Sequence, residues 1–149
     1  MCVIVDNDVV ARVLVKGDAA FVPLNQAIWK KRHKLIHGGK LTKEYIQNHA
    51  IRSVLRLLDE KGLSRIVGEA QIVPVVTQLV ENNSCRSNDE HVIALAQVSN
   101  TRLLCSLDED LIEDFKDKAL IDKPRGKVYK GADHRKLVDK ACKACCGQD

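Results

Sequence analysis

The chain has 149 residues, of which 45% are hydrophobic and 30% charged, with a formal net charge of +4. This is the composition of an ordinary globular protein, one domain long, with no repeat or low-complexity segment. No apolar run approaches the roughly 18 residues of a membrane span, and the opening MCVIVDND lacks the basic start of a signal peptide, so a cytoplasmic protein without membrane association is expected.

Cys2–Val5 is a continuous apolar, β-branched run that predicts a buried central parallel strand ending at Asp6. Residues 9–15 read as a helix with Val10, Val13 and Leu14 inward, broken by Lys16-Gly17-Asp18. Residues 19–31 read as a second helix with Phe21, Leu24, Ile28 and Trp29 on one side and Pro23 in its first turn. Leu35-Ile36 suggests an edge strand over residues 33–37, ended by Gly38-Gly39. A long helix is predicted over residues 43–61, with Ile46, Ala50, Val54, Leu57 and Leu58 as its apolar stripe. Thr42 would cap it and Gly62 end it, which puts Glu44 in its first turn.

Residues 64–81 are ambiguous at their start, and a helix bent at Pro74 is favoured. After a polar loop over residues 82–88, Asn88 or Asp89 caps a helix that buries Val92, Ile93, Leu95 and Ala96. A strand is expected over residues 103–107, followed by the acidic Asp108, Glu109 and Asp110. A short helix carrying Leu111, Ile112 and Phe115, a turn at Pro124-Arg125-Gly126, a weak edge strand Lys127–Tyr129 and a helix over residues 133–144 complete the chain. The alternation predicts an α/β fold, with the main domain over 1–132 and a C-terminal helix and tail over 133–149.

Charge is unevenly distributed. Residues 30–43 hold six Lys/Arg, two His and no acid, residues 108–114 hold five acids and no base, and residues 116–143 hold ten Lys/Arg against four Asp. An acidic focus with basic flanks suits a protein that holds a cation and approaches a polyanion. The six cysteines, without a secretory signal, point to thiols. Cys2 and Cys105 read as small core residues, and Cys142, Cys145 and Cys146 as a tail cluster poorly suited to zinc.

Ligands of parallel α/β sheets bind at the carboxyl ends of the strands. Four acids have a place at that edge: Asp6 and Asp108 after strands, Glu44 and Asp89 at helix starts. Singly, each is explained by helix capping or the helix dipole, worth about 0.3–1 kcal/mol. Together they repel one another unless a cation neutralises them, and carboxylates of this kind suit Mg²⁺ or Mn²⁺.

The segments VIVDND, LTKEY, NDEHVIALA and LLCSLDEDL, in this order and spacing, resemble the PIN-domain family over residues 2–130. The resemblance implies a three-layer α/β/α, Rossmann-like domain around a small parallel sheet. It implies metal-dependent endoribonuclease activity on single-stranded RNA, with Asp6, Glu44, Asp89 and Asp108 holding Mg²⁺ or Mn²⁺, Asp110 auxiliary, and Ser106 at the position of a small hydroxyl residue. Lys30, Lys31, Arg32, Lys34 and Lys40, with Arg125 and Lys127, are expected to form the RNA-binding rim together with Ser106. Toxin-type members often act as homodimers beside an antitoxin-like partner. The basic stretch before Glu44, with His37-Gly38-Gly39-Lys40, is longer than the commonest toxin pattern and leaves the substrate open. Two other readings are a catalytically silent RNA- or protein-binding module and a haloacid-dehalogenase-type phosphatase. The latter would use Asp6-Asn7-Asp8 with Asp108, Asp110 and Lys123, and gives Glu44 no role.

Overall fold

The computed structural model describes residues 2–139. Five strands, β1 (Cys2–Val5), β2 (Lys34–Gly38), β3 (Ser64–Val67), β4 (Leu103–Cys105) and β5 (Lys127–Tyr129), form one sheet in the order β3-β2-β1-β4-β5. Every pairing is parallel. Helices α1 (Asn7–Leu14), α2 (Val22–Trp29), α3 (Gly39–Tyr45), α4 (His49–Glu60), α5 (Glu69–Glu81), α6 (Glu90–Ser99), α7 (Glu109–Lys116) and α8 (Arg135–Asp139) complete a three-layer α/β/α fold. On one side α1 packs on α2 and α4, and elsewhere α5 packs along α6. No helix among the described residues is long and apolar enough to cross a membrane.

The central strand forms where its composition predicts, and all four of its residues are fully buried. From β1 the chain moves to β2 and β3 on one side, then returns to β4 on the other side of β1. The strand order therefore reverses between β1 and β4, which opens a crevice beyond their carboxyl ends.

Several expectations are corrected. β2 is an interior strand between β1 and β3, and the edge position falls to β3, which opens the stretch taken as helical. The helical part begins only at Glu69, with Pro74 inside it. The long helix over 43–61 is two helices. Asn48 accepts from the backbone N–H groups of Ala50 and Ile51 and starts α4, while Arg52 donates to the Ile46 carbonyl at the end of α3. The buried stripe of α4 is Ile51, Leu55 and Leu58, and Ile46 and Leu57 are exposed. Thr42 is not a cap but pairs with His37 Nδ1 at 2.8 Å. The β4 strand stops at Cys105, because Ser106 already turns toward the site.

Cys105 is a buried thiol and Cys85 a partly buried one, each raised in pKa first by burial. Cys2 is disulfide-bonded, which corrects the thiol expected there. The cluster of Cys142, Cys145 and Cys146, and the last helix beyond Asp139, lie outside the described residues. Within them, α8 packs on α2, with His33 Nε2 2.9 Å from the Val138 carbonyl.

Gly38 ends β2 where the backbone of β3 lies closest. A Cβ there would sit 2.5 Å from the Val67 carbonyl oxygen and 2.9 Å from the Ile72 side chain. The obstacle is sheet backbone, which cannot swing aside. Gly38→Ala is expected to lower stability by about 1–3 kcal/mol in urea melts, and an unchanged midpoint would show that β2 and β3 part easily here.

Candidate functional site

Asp6 follows β1 directly and occupies the N-cap position of α1, yet its side chain makes no cap hydrogen bond. Its backbone N–H continues the sheet by donating to the Cys105 carbonyl at 2.9 Å. The carboxylate is 5% exposed and accepts from Ser106 Oγ at 2.8 Å across the β1/β4 crevice. Ser106 is fully buried, and its oxygen accepts from the Asp108 N–H at 3.1 Å. One hydroxyl thus joins both acids, so Ser106 positions Asp6 and is not open to a substrate.

Asp89 repeats the arrangement. It stands at the N-cap of α6 without a cap hydrogen bond from its side chain. Its N–H donates to Ser87 Oγ at 3.3 Å, and that hydroxyl donates to Asp114 at 2.8 Å. Asp114 is buried and also accepts from the backbone N–H groups of Arg86 and Ser87. It pins the loop that delivers Asp89. Both serines stand two residues before the acid they serve.

Glu44 reaches the site from the last turn of α3, not from the start of a long helix. The neighbouring Tyr45, fully buried, donates its hydroxyl to the Val5 carbonyl and ties α3 to the end of β1. Glu44 Oε1 lies 2.9 Å from Nε2 of His91, a largely buried residue on α6. Asp108, by contrast, is a genuine cap: its Oδ1 accepts from the N–H groups of Asp110 and Leu111. Asp110 is exposed on the first turn of α7 and gives its backbone N–H to this cap.

Burial and a shared field of acids act on Asp6 and Asp89. Asp6 is pushed from its usual 3.8 up to about 6, first by burial and then by the carboxylates of Asp8, Asp89 and Asp108, against the opposing Ser106 hydrogen bond. Asp89 is raised first by burial, with His91 opposing and Asp108, Glu44 and Asp8 adding to the rise. Asp8, exposed in the first turn of α1, joins a field whose acids come from β1, α3, α6 and β4. Among the described residues no Lys or Arg forms an ion pair with Asp6, Asp89 or Asp108. Neither do any three His, Cys, Asp or Glu side chains there stand close enough together to hold a metal ion as they are placed.

The basic residues divide by sheet edge. Lys34 opens β2 level with Cys2, so Lys30, Lys31, Arg32 and Lys34 lie at the amino edge, opposite the acids. Lys127 opens β5 level with Leu103, so Lys127 and Arg125 lie there too. They do not rim the carboxylates. At the carboxyl edge stand Lys40 in α3 and, after β5, Lys130. Lys40 lines a cavity of about 150 Å³ with Gly39, Glu69, Ile72, Val76 and His91. The 2.9 Å pair of Lys43 with Glu69 stands beside it.

Comparison with protein-family models, with curated proteins and with solved structures finds no match.

Because folding raises the Asp6 pKa from 3.8 to about 6, its contribution favours the folded state at low pH and is lost as pH rises through that window. Ionising it in place costs about 3 kcal/mol at the ordinary conversion of about 1.4 kcal/mol for each tenfold change. In chelator, Asp6→Asn is expected to match wild type near pH 4 and to melt at a higher temperature above pH 7, the difference growing between the two. A difference that does not vary with pH would show that Asp6 is not held against its charge.

Proposed function

We propose that the carboxyl edge between β1 and β4 is the centre of a Mg²⁺- or Mn²⁺-dependent phosphodiesterase acting on single-stranded RNA, as the resemblance to PIN domains implies. One observation carries this reading: Asp6 and Asp89 both hold N-cap positions without capping, in a shared field of carboxylates with no paired Lys or Arg among the described residues. Acids that give their helices no hydrogen bond, and are kept despite the cost of burial, are candidates for holding a ligand or a proton.

The donor chemistry fits a hard cation. The acids offer oxygen alone, and Mg²⁺ commonly takes one or two carboxylates, with water and substrate phosphate oxygens completing its shell. Asp6 and Asp89 would hold it, with the Asp108 oxygen not engaged in its own cap. Bound there, the ion supplies Lewis acidity to the phosphate and makes water a nucleophile near neutral pH. The chain does the rest. Ser106 fixes the orientation of Asp6, Ser87 and Asp114 hold the loop of Asp89, and His91 orients Glu44 to take a proton. Lys40 and Lys130 replace the amino-edge lysines as the cations that meet the backbone flanking the reacting phosphate.

The spread of the acids, with no three ligands close enough to share an ion among the described residues, favours the second reading, a silent binding module. The phosphatase reading is weakened. Lys123 lies just before β5, beside Asp122, whose carbonyl accepts from Arg102 at the start of β4. That is the edge away from Asp6.

In the test, Asp6→Asn and Asp89→Asn abolish Mn²⁺-dependent cleavage of a single-stranded RNA, and His91→Phe, which leaves Glu44 without the group that orients it, lowers it by up to about 100-fold, the low end of what a positioned proton acceptor contributes. Mn²⁺ at 100 times its Kd should stabilise wild type by about 2.7 kcal/mol and the Asp variants far less. Wild type whose melting temperature ignores Mn²⁺, and which cleaves nothing, would leave the silent module.

A further inference from the structure

The strongest feature without a role lies at the opposite end of the sheet. Two segments enter strands there, residues 30–33 into β2 and residues 117–126 into β5. They and the first residue of β5 expose Lys30, Lys31, Lys123, Arg125 and Lys127. Lys61, exposed between α4 and β3, adds a sixth cation. Four acids stand nearby: Asp59 accepts from Ser64 Oγ, Asp117 Oδ1 accepts from the Ala119 N–H at 2.9 Å, and Glu60 and Asp122 are exposed beside Lys61 and Lys123, so the cations outnumber the acids at this edge. β2 and β5 are separated by β1 and β4, so the two basic segments stand about 14 Å apart at the usual strand spacing.

The segments are held in shape. Lys31 and Lys123 have φ of 65° and 63°, a region where Gly or Asn is the usual occupant. Gly126 is fixed by its close packing, since a Cβ there would lie 2.1 Å from the Phe115 carbonyl oxygen. Arg125 is braced by its 2.8 Å hydrogen bond to the Lys116 carbonyl. Trp29, half-buried at the end of α2, packs against the core and anchors the start of the segment that carries Lys30 and Lys31.

We propose that this amino edge is a separate RNA-binding surface that holds the phosphodiester backbone away from the carboxylate edge. Exposed cations on two fixed segments, set apart by the width of two strands, suit an extended polyanion with regularly repeated charge, as a nucleic-acid backbone is. An anionic membrane would call for exposed apolar side chains among the cations, and the large apolar residues of the 117–126 segment, Leu120 and Ile121, are half-buried and buried. The inference does not rest on the nuclease reading.

The test is fluorescence anisotropy of the full chain with labelled RNA in EDTA, where binding is read without cleavage. Lys30→Gln, Lys31→Gln, Lys123→Gln and Arg125→Gln combined should weaken binding at least about 10-fold. The salt slope should flatten by about 0.7 for each phosphate of a single strand that the variant no longer neutralises. Single- and double-stranded RNA in parallel show which form spans the two segments. Should the fourfold variant melt early, the exposed pair Lys30→Gln and Lys123→Gln gives the same reading at half the size. Binding is read in EDTA on the amino-edge variants and cleavage in Mn²⁺ on the carboxylate variants, so the two proposals fail separately. Unchanged affinity and slope in a folded variant would overturn the surface. So would a weakening confined to Lys40→Gln with Lys130→Gln, or tighter binding to phosphatidylserine vesicles than to RNA.

Discussion

The constraint on which the site depends is the burial of a carboxylate, Asp6, at the end of the central strand, with the field of neighbouring acids adding to the cost. Asp6 is the innermost, and its ionisation against burial and its neighbours costs about 3 kcal/mol. That figure already includes the Ser106 hydrogen bond, which lowers it, and three helix N-termini, those of α1, α6 and α7, stand nearby, each worth about 0.3–1 kcal/mol to an anion. What remains is a preference of Asp6 for its proton. The surrounding structure is built to resist the spreading that would relieve it. Tyr45 ties α3 to β1, Asp114 ties the loop before α6, and Ser106 bridges β1 to the start of α7.

Much of the frame was legible in the sequence, because apolar runs and their acidic ends are local. β1 could be read from four consecutive buried residues, and Asp6 and Asp108 follow from the strands before them. Glu44 was placed at the right edge for the wrong reason. Periodicity across residues 43–61 hid the break at Asn48, which depends on one side-chain cap and on Tyr45 finding Val5. β3 was obscured because an edge strand of four residues carries little pattern of its own.

The supporting residues were harder to see. His91, Ser87 and Asp114 act through partners 27 to 47 residues away, which no spacing rule reveals. One signal was present: Ser-x-Asp occurs at both Ser87–Asp89 and Ser106–Asp108, each serine bonding the N–H of the acid two residues on. The misplaced RNA rim has a plainer cause. Residues that lead into a parallel strand lie at its amino edge, and the run from Lys30 enters β2 at Lys34. Charge along the sequence carries no strand direction, and it is the direction of β2 that sets those lysines away from the acids.

Separation of acid and base to opposite ends of one sheet makes the molecule an electric dipole along its strands. In the field of a polyanion such a body feels a torque as well as a pull. It turns its lysine end inward and carries the carboxylates on the far side. Encounter and alignment then favour the orientation in which Asp6 and Asp89 face away, and a cation at the proposed site would reduce the moment by neutralising the acidic end. Divalent ions would therefore govern how the protein presents itself to a charged partner, over distances set by the Debye length of about 8 Å at physiological salt, before any bond is made or broken.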